Sequence, residues 1–340
     1  LFRHELELFT PLVMSLPVAA DQAGDRAMRQ ALDAARDRQW DKIDEGAIED
    51  HVLAGYIEYH RLRSRLPNID AELINAFNQR HADSPLSEWL RNTAQTHYGD
   101  AERYDAFLAV SDGEPVGVVR QCHYYTALLD REPDTAAKGG KQLWLSGHSQ
   151  PSACDTLFAT LRDRGVIDDE LTWRRLMLAW EAGENGMMNF LAGQLPESWD
   201  GAQQALARLR KNYAAITRVP VEVGPGGAGS AALFSAAMHN FTRADTEAAL
   251  EAWRKIAPHI PLNDEQRHEL EHDLAFYSMV REVGNNEGWV DQVLPRLADG
   301  ELLELRVRRA LAERDWHGVI EWVHAMPDDP RLDSRWQYWL

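Results

Sequence analysis

The sequence predicts an all-α fold: an α-superhelix, or solenoid, of antiparallel helix hairpins of the tetratricopeptide-like kind. Three observations predict it. From residue 21 onward apolar residues recur at spacings of three and four, and strand-like alternation is nearly absent. The interruptions are short: SDGEP at 111–115, KGGK at 138–141, AGENG at 182–186, GPGGAG at 224–229 and MPDDP at 326–330. Breaks of that length fold successive helices back antiparallel. Finally, a weak internal repeat links ALDAARDRQWDKI at 31–43 with ALAERDWHGVI at 310–320, and NEGWVDQVL at 286–294 echoes its second half. A single hairpin cannot bury its apolar face alone, so neighbours stack and the chain curves into an arc or ring.

Taken in order, the first twenty residues stand apart. FTPLVMSLPVAA at 9–20 has the apolar core and small-residue end of a signal peptide, with Val18 and Ala20 before Asp21, although Glu5 and Glu7 precede it in place of a basic start. Residues 1–20 are therefore read as a leader remnant or N-terminal extension, and 21–340 as the superhelical domain. Ala27 to Trp40 reads as an amphipathic helix with Met28, Leu32, Ala35 and Trp40 near one stripe. In LWLSGHSQPSACDTLF, Leu143 to Phe158, Cys154 falls at a helix start. Cys122 lies in the preceding helix, within RQCHYYTALL. Asn263 and Gln266 form a capping-box pattern, with acids at the positive end of the helix. Leu302 to Ala312 gives a second clear stripe, with Leu303, Val307, Ala310 and Leu311. Most of the twelve tryptophans should pack between hairpins.

The composition excludes several classes of function. A net charge of −18 argues against nucleic acid or an anionic membrane as partner, since both need a basic surface. No apolar run reaches transmembrane length, so no transmembrane segment is expected. The two cysteines would pair in an exported protein and remain buried thiols in a cytosolic one.

One stretch carries a resemblance. Cys122 precedes the pair Tyr124 and Tyr125. Then come Leu143, Trp144, Leu145, Gly147, Ser149, Gln150, Pro151, Ala153, Cys154, Asp155, Leu157 and Phe158. This pattern resembles the N-terminal α-superhelical (U-shaped) domain of the soluble lytic murein transglycosylases. LAGQLP at 191–196, ELRVRRAL at 304–311 and SRWQYW at 334–339 extend the likeness, which covers roughly residue 21 to the C-terminus. The Gly-rich stretch at 224–229 departs from it. The resemblance implies export to the periplasm and a disulfide between Cys122 and Cys154.

It also implies what to look for elsewhere. The family's catalytic glutamate sits in a Glu-Ser pair followed by GLMQ on a lysozyme-like domain. Here Glu197-Ser198 is followed by WDGAQQAL, and GLMQ is absent from the chain. The chain ends at Leu340, about where the family's superhelical domain gives way to a linker domain. No catalytic residue, cofactor or metal is therefore expected in this chain, and the lysozyme-like domain is expected to be absent from it.

Other constellations have blander readings. His268, Glu269 and His272 match H-E-x-x-H, which on a helix could offer two zinc ligands and a base. No third ligand follows at a suitable spacing, so surface histidines are expected. Gly224 to Gly229 lacks the Lys-Ser/Thr of a phosphate loop and reads as a flexible inter-helix loop. Trp336, Tyr338 and Trp339 could stack on sugar rings but more simply pack a hairpin. His148 and Ser149 have no partners in a nucleophile motif.

The functional expectation is thus a non-catalytic superhelical scaffold of a periplasmic lytic transglycosylase, an enzyme that cleaves peptidoglycan glycan strands to 1,6-anhydro-muropeptides. Its partners would be glycan strands, through the full-length enzyme, and cell-wall proteins. The alternative is a stand-alone helical-repeat adaptor that binds proteins or peptides.

Overall fold

The computed structural model describes residues 22–340. The leader reading of 1–20 lies outside the described residues. Within them the protein is all-α, with no strand. The chain divides after Arg131 into two compact units.

The first unit contains α1 (Gln22–Arg36), α2 (Gly55–Ser64), α3 (Ala71–Arg80), α4 (Pro85–Asp100), α5 (Tyr104–Ala109) and α6 (Val118–Leu128). Consecutive helices pair, and α2, α4 and α6 also pack on one another in turn. Ile74, Phe77, Leu90, Ala94 and Phe107 form a dry core, and the buried Tyr98 hydroxyl donates to the Ile69 carbonyl at 2.9 Å.

The second unit begins with α7 (Pro133–Trp144), α8 (Asp155–Asp163), α9 (Asp169–Glu181), α10 (Asn185–Ala192) and α11 (Asp200–Lys211). It continues with α12 (Ser230–Ala244), α13 (Thr246–Ile256), α14 (Asp264–Val280), α15 (Glu287–Leu297), α16 (Gly300–Glu313) and α17 (Trp316–Ala325). Two single turns, α18 (Asp328–Arg331) and α19 (Ser334–Gln337), close it. Helices α9, α12, α14 and α16 pack one on the next as a spine, and each carries its hairpin partner, α10, α13, α15 or α17. This is the stacking that a solenoid requires. The predicted stripe on α16 is buried at Leu303, Val307 and Ala310, and seven of the twelve tryptophans are core residues.

The hairpins share one local device. Arg38, Glu102, Gly165, Gly183, Glu282 and Arg314 all have left-handed φ, between 54° and 75°. After each, the next backbone N–H donates to the carbonyl five residues back, at 2.8–2.9 Å. That is the Schellman closure, which satisfies carbonyls the helix end would otherwise orphan. The echo between 31–43 and 310–320 is this turn, at Arg38 and at Arg314. Beyond it the two differ: Trp40 begins only a 3-10 turn, Trp40–Lys42, whereas Trp316 opens α17. In several hairpins an acid or amide then caps the next helix. Asp299 and Asp315 immediately follow the left-handed Ala298 and Arg314 and accept from Leu302 and Gly318 N–H at 2.9 and 3.0 Å. The capping box at α14 is present in both directions: Asn263 accepts from Gln266 N–H at 2.8 Å and Gln266 accepts from Asn263 N–H at 3.1 Å.

Three expectations need correction. Trp40 is not on the helix of Met28, because α1 ends at Arg36 and the left-handed Arg38 turns the chain first. KGGK is not a break. Lys138–Lys141 lies inside α7, where a Cβ on Gly140 would stand 2.2 Å from Leu161 Cδ1, so the glycine lets α8 approach. Cys122 does not lie in the helix before Cys154, since α7 stands between α6 and α8 in sequence.

The left-handed positions give a paired test. Gly183 has open space around its missing Cβ, so Gly183→Ala meets only the backbone penalty and should cost about 1 kcal/mol. Glu282→Gly should relieve a similar strain, less the entropy of glycine, and stabilise by about 0.5 kcal/mol. Urea midpoints of the two variants should move in opposite directions; shifts of the same sign would contradict this account.

Candidate functional site: a cleft beside Trp144

The segment that carries the sequence resemblance also builds one wall of a cleft in the second unit. Helix α7 ends at Trp144, whose indole is buried and donates Nε1–H to the Leu171 carbonyl at 3.3 Å. The chain then runs closely over α9. Gly147 is required there, because a Cβ would lie 2.5 Å from the backbone oxygen of Leu178. Gln150 turns back to donate to the Leu143 carbonyl at 3.0 Å, and Pro151 leads into a 3-10 turn, Ser152–Cys154, at the start of α8. Phe158 on α8 meets Trp144 edge-on, with ring centroids 5.1 Å apart.

Beneath this segment sits Arg175 of α9. It falls on the buried stripe of that helix with Thr172, Leu176 and Ala179. Its guanidinium carbon is 4.2 Å from the centroid of the Trp144 ring and 5.5 Å from that of Phe158. Nε donates to the Ser146 carbonyl at 3.2 Å and Nη2 to the His148 carbonyl at 3.3 Å. Arg162 of α8 lies over the same indole at 5.2 Å. Burial, then the neighbouring Arg162 charge, pulls Arg175 down to about 10. Burial also lowers Arg162, against the opposing charges of Asp169 and Asp163. The space they face is about 500 Å³, walled by Trp144, Phe158 and Phe190, with Gln150 and Gln194 among its polar groups. An opening of that size accepts a small ligand or a few residues of a peptide.

A second cleft, of about 320 Å³, gathers titratable groups between α9, α12 and α14. His239 Nδ1 lies 2.6 Å from Asp273 Oδ2, with Glu181 close by. Burial alone would pull His239 down, but the Asp273 hydrogen bond and the charges of Asp273 and Glu181 raise it above 6.5. Burial likewise opposes ionisation of Asp273, but the His239 bond together with the charges of His239, Arg243 and His272 outweighs it, leaving Asp273 below 3.8. Glu181 is raised, chiefly by burial.

The residues singled out in the sequence scatter. Cys122 and Cys154 are both fully buried and both disulfide-bonded. Glu197 is exposed on a 3-10 turn, Glu197–Trp199, ahead of α11. His268 and Glu269 are exposed on α14, and His272 lies 3.8 Å from Asp299. Glu271, between them, pairs with Arg296 at 2.6 Å. Among the described residues no group of three or more His, Cys, Asp or Glu is placed to hold a metal ion, and no helix is long and apolar enough to cross a membrane. The Gly224–Gly229 segment is not a free tether. Gly229 accepts a hydrogen bond from Trp173 Nε1 at 3.0 Å, and Gly224 and Gly229 lie close against Trp199. Trp336 is core, Trp339 stacks on Trp316 at 6.0 Å, and Tyr338 is exposed. His148 meets Glu184 at 3.0 Å on the surface. Sequence reasoning missed Arg162, Arg175 and Phe190. The available signal was an arginine on the apolar stripe of α9, in TWRRLMLAW.

No family model matches the chain. The chain is 28% identical over 334 residues to the soluble lytic murein transglycosylase of Escherichia coli K12, covering 96% of this chain and 52% of the relative. Its identity to the Salmonella typhimurium LT2 protein of the same name is 28% over 316 residues, covering 92% and 48%. Among solved structures, the 70 kDa soluble lytic transglycosylase of Escherichia coli superposes with a TM-score of 0.70 at 28% identity, covering 93% of this chain and 52% of the other. The same enzyme in complex with bulgecin A gives the same values. An inactive mutant of the lytic transglycosylase Slt of Pseudomonas aeruginosa gives 0.78 at 24% identity, covering 92% and 51%, and speaks to the fold. The chain spans about half the length of the relatives it matches.

Two outcomes test this geometry. Gly147→Ala should lower stability by about 1–3 kcal/mol, because a backbone oxygen cannot swing aside; an unchanged melting temperature would refute the close approach. The His239–Asp273 pair should stabilise the fold between its two folded-state pKa values. Its contribution is lost as pH rises through the raised value of His239, and as pH falls through the lowered value of Asp273. The stability gap between wild type and His239→Gln should therefore be widest at about pH 5–6 and narrow on the alkaline side. A gap independent of pH would count against the pair.

Proposed function

For a chain homologous to the soluble lytic murein transglycosylases along 96% of its length, we propose the role of a non-catalytic superhelical scaffold. The parent enzyme would be periplasmic and would cut peptidoglycan glycan strands to 1,6-anhydro-muropeptides. In that reaction a catalytic glutamate protonates the glycosidic oxygen, and the C6 hydroxyl of N-acetylmuramic acid closes the ring. Our reading assigns that glutamate to another domain. The observation that carries it is a match that runs almost end to end through this chain while spanning only about half of each relative. Such a long match is also what makes an unrelated adaptor the weaker reading.

Supporting chemistry comes from several places. Glu197 is the one glutamate followed directly by serine in the chain, and it stands exposed on a short 3-10 turn rather than in a cleft. Two disulfide-bonded cysteines suit an oxidising compartment. We assign the bridge to Cys122 with Cys154, the only two cysteines in the chain. An acidic surface with a net charge of −18 would keep the scaffold off anionic lipid and favour contact with neutral sugar or with peptide.

The test is incubation of the purified chain with peptidoglycan sacculi. Protein is scored in the pellet, and anhydro-muropeptides in the supernatant by mass spectrometry. The expected result is co-sedimentation without anhydro products. Anhydro products from a clean sample would overturn the non-catalytic assignment and make Glu197 the first residue to mutate. Failure to co-sediment would remove the glycan-holding role.

A further inference from the structure

The cleft beside Trp144 holds two arginines, Arg162 and Arg175, that no carboxylate reaches at ion-pair distance among the described residues, although Asp155 and Asp163 also line it. Arg175 is only 3% exposed and forms no ion pair among the described residues. Two other arginines of the same unit are matched: Arg306, also buried, with Asp291 at 2.7 Å, and Arg296 with the buried Glu271 at 2.6 Å. Two of the Arg175 nitrogens are committed to the Ser146 and His148 carbonyls, which leaves Nη1 without a hydrogen-bond partner among the described residues. Arg162 stands over the same indole and likewise forms no ion pair or hydrogen bond among the described residues, although the charges of Asp169 and Asp163 act on it. Two guanidinium groups beside one ring repel each other, and the desolvation of Arg175 adds to that cost. An anion between them would offset both.

The other walls restrict what that anion can be. Phe158 and the 59% exposed Phe190 are apolar. Gln194 Oε1 is buried and accepts no hydrogen bond, so it lacks a donor. Asp155 and Asp163, both exposed, line the same cleft and would repel a multiply charged phosphate more than a single carboxylate. One chemical group combines a single carboxylate, an apolar side chain and a neighbouring N–H: the free C-terminus of a peptide.

We propose that this cleft is a binding site for the C-terminal carboxylate of a short peptide. The carboxylate sits between Arg175 Nη1 and Arg162, the last side chain lies against Phe158 and Phe190, and a peptide N–H donates to Gln194 Oε1. Trp144 holds both guanidinium groups in place through its π face. Cell-wall peptides and protein C-termini share this chemistry, and the site does not depend on the scaffold role proposed above.

The full chain should be titrated with N-acetyl-Ala-Ala in its L and D forms and with the C-terminal amide of each, by calorimetry and by tryptophan fluorescence. At least one acid should bind, and its amide should bind about tenfold or more weakly, the loss expected for a charge-assisted hydrogen bond. Arg162→Gln should weaken the acid about tenfold while melting near wild type, because Arg162 makes no structural hydrogen bond. Arg175→Lys, which keeps the charge but not the fork, should also weaken it, with folding checked by circular dichroism. Preference for the D form points to wall peptides and for the L form to protein C-termini; both uphold the site. Absence of binding by either acid, equal binding of acid and amide, or wild-type affinity in Arg162→Gln would overturn it.

Discussion

A pair of helices can bury one stripe against its partner, but the opposite stripe needs the next pair. That constraint organises the second unit. Helices α9, α12, α14 and α16 each pack on the next, and the outer helices depend on the spine they lean against. Stability in such an array is a sum of neighbour interfaces rather than one deep core. The residues at those interfaces are accordingly large or very small. Trp173 and Trp199 face each other at 5.4 Å, while Gly140 and Gly147 mark places where a methyl group would not fit.

The capping box of α14 could be read from the sequence because a cap depends only on neighbours within a few residues. Asn263 and Gln266 need no tertiary partner to satisfy each other. KGGK misled for the opposite reason. Two glycines between lysines have the composition of a loop, and only the approach of Leu161 from α8 explains why they sit mid-helix. Trp40 was placed on the wrong helix because a left-handed arginine is rare enough that sequence gives no warning of it. The Trp144 cleft was half visible. Its α7–α8 wall is the segment that stood out, while Arg175 and Phe190 come from helices whose position no local pattern reveals.

Electrostatics in this chain divide by depth. Acids are mostly at the surface and at helix starts, where Asp168, Asp245, Asp299 and Asp315 accept from backbone N–H groups. Arginines reach inward and lie on aromatic rings, as at Trp144, Trp253, Trp322 and Trp336. A guanidinium is planar and weakly hydrated, so it tolerates that environment better than an ammonium. The acidic total therefore says little about the clefts: the one beside Trp144 is lined by Arg162 and Arg175 as well as by Asp155 and Asp163.

The one-residue corners at Ala298 and Arg314 have a consequence for how this chain can change over time. Each joins two helices through a single left-handed residue followed at once by a capping aspartate. One added residue would rotate the following helix by about 100° about its axis. Leu302, Leu303 and Val307 would then swing off the core, and the aspartate would lose its N–H groups. Point substitutions at these corners cost little by comparison. The superhelix can thus drift in sequence while its helix-to-helix phase stays locked.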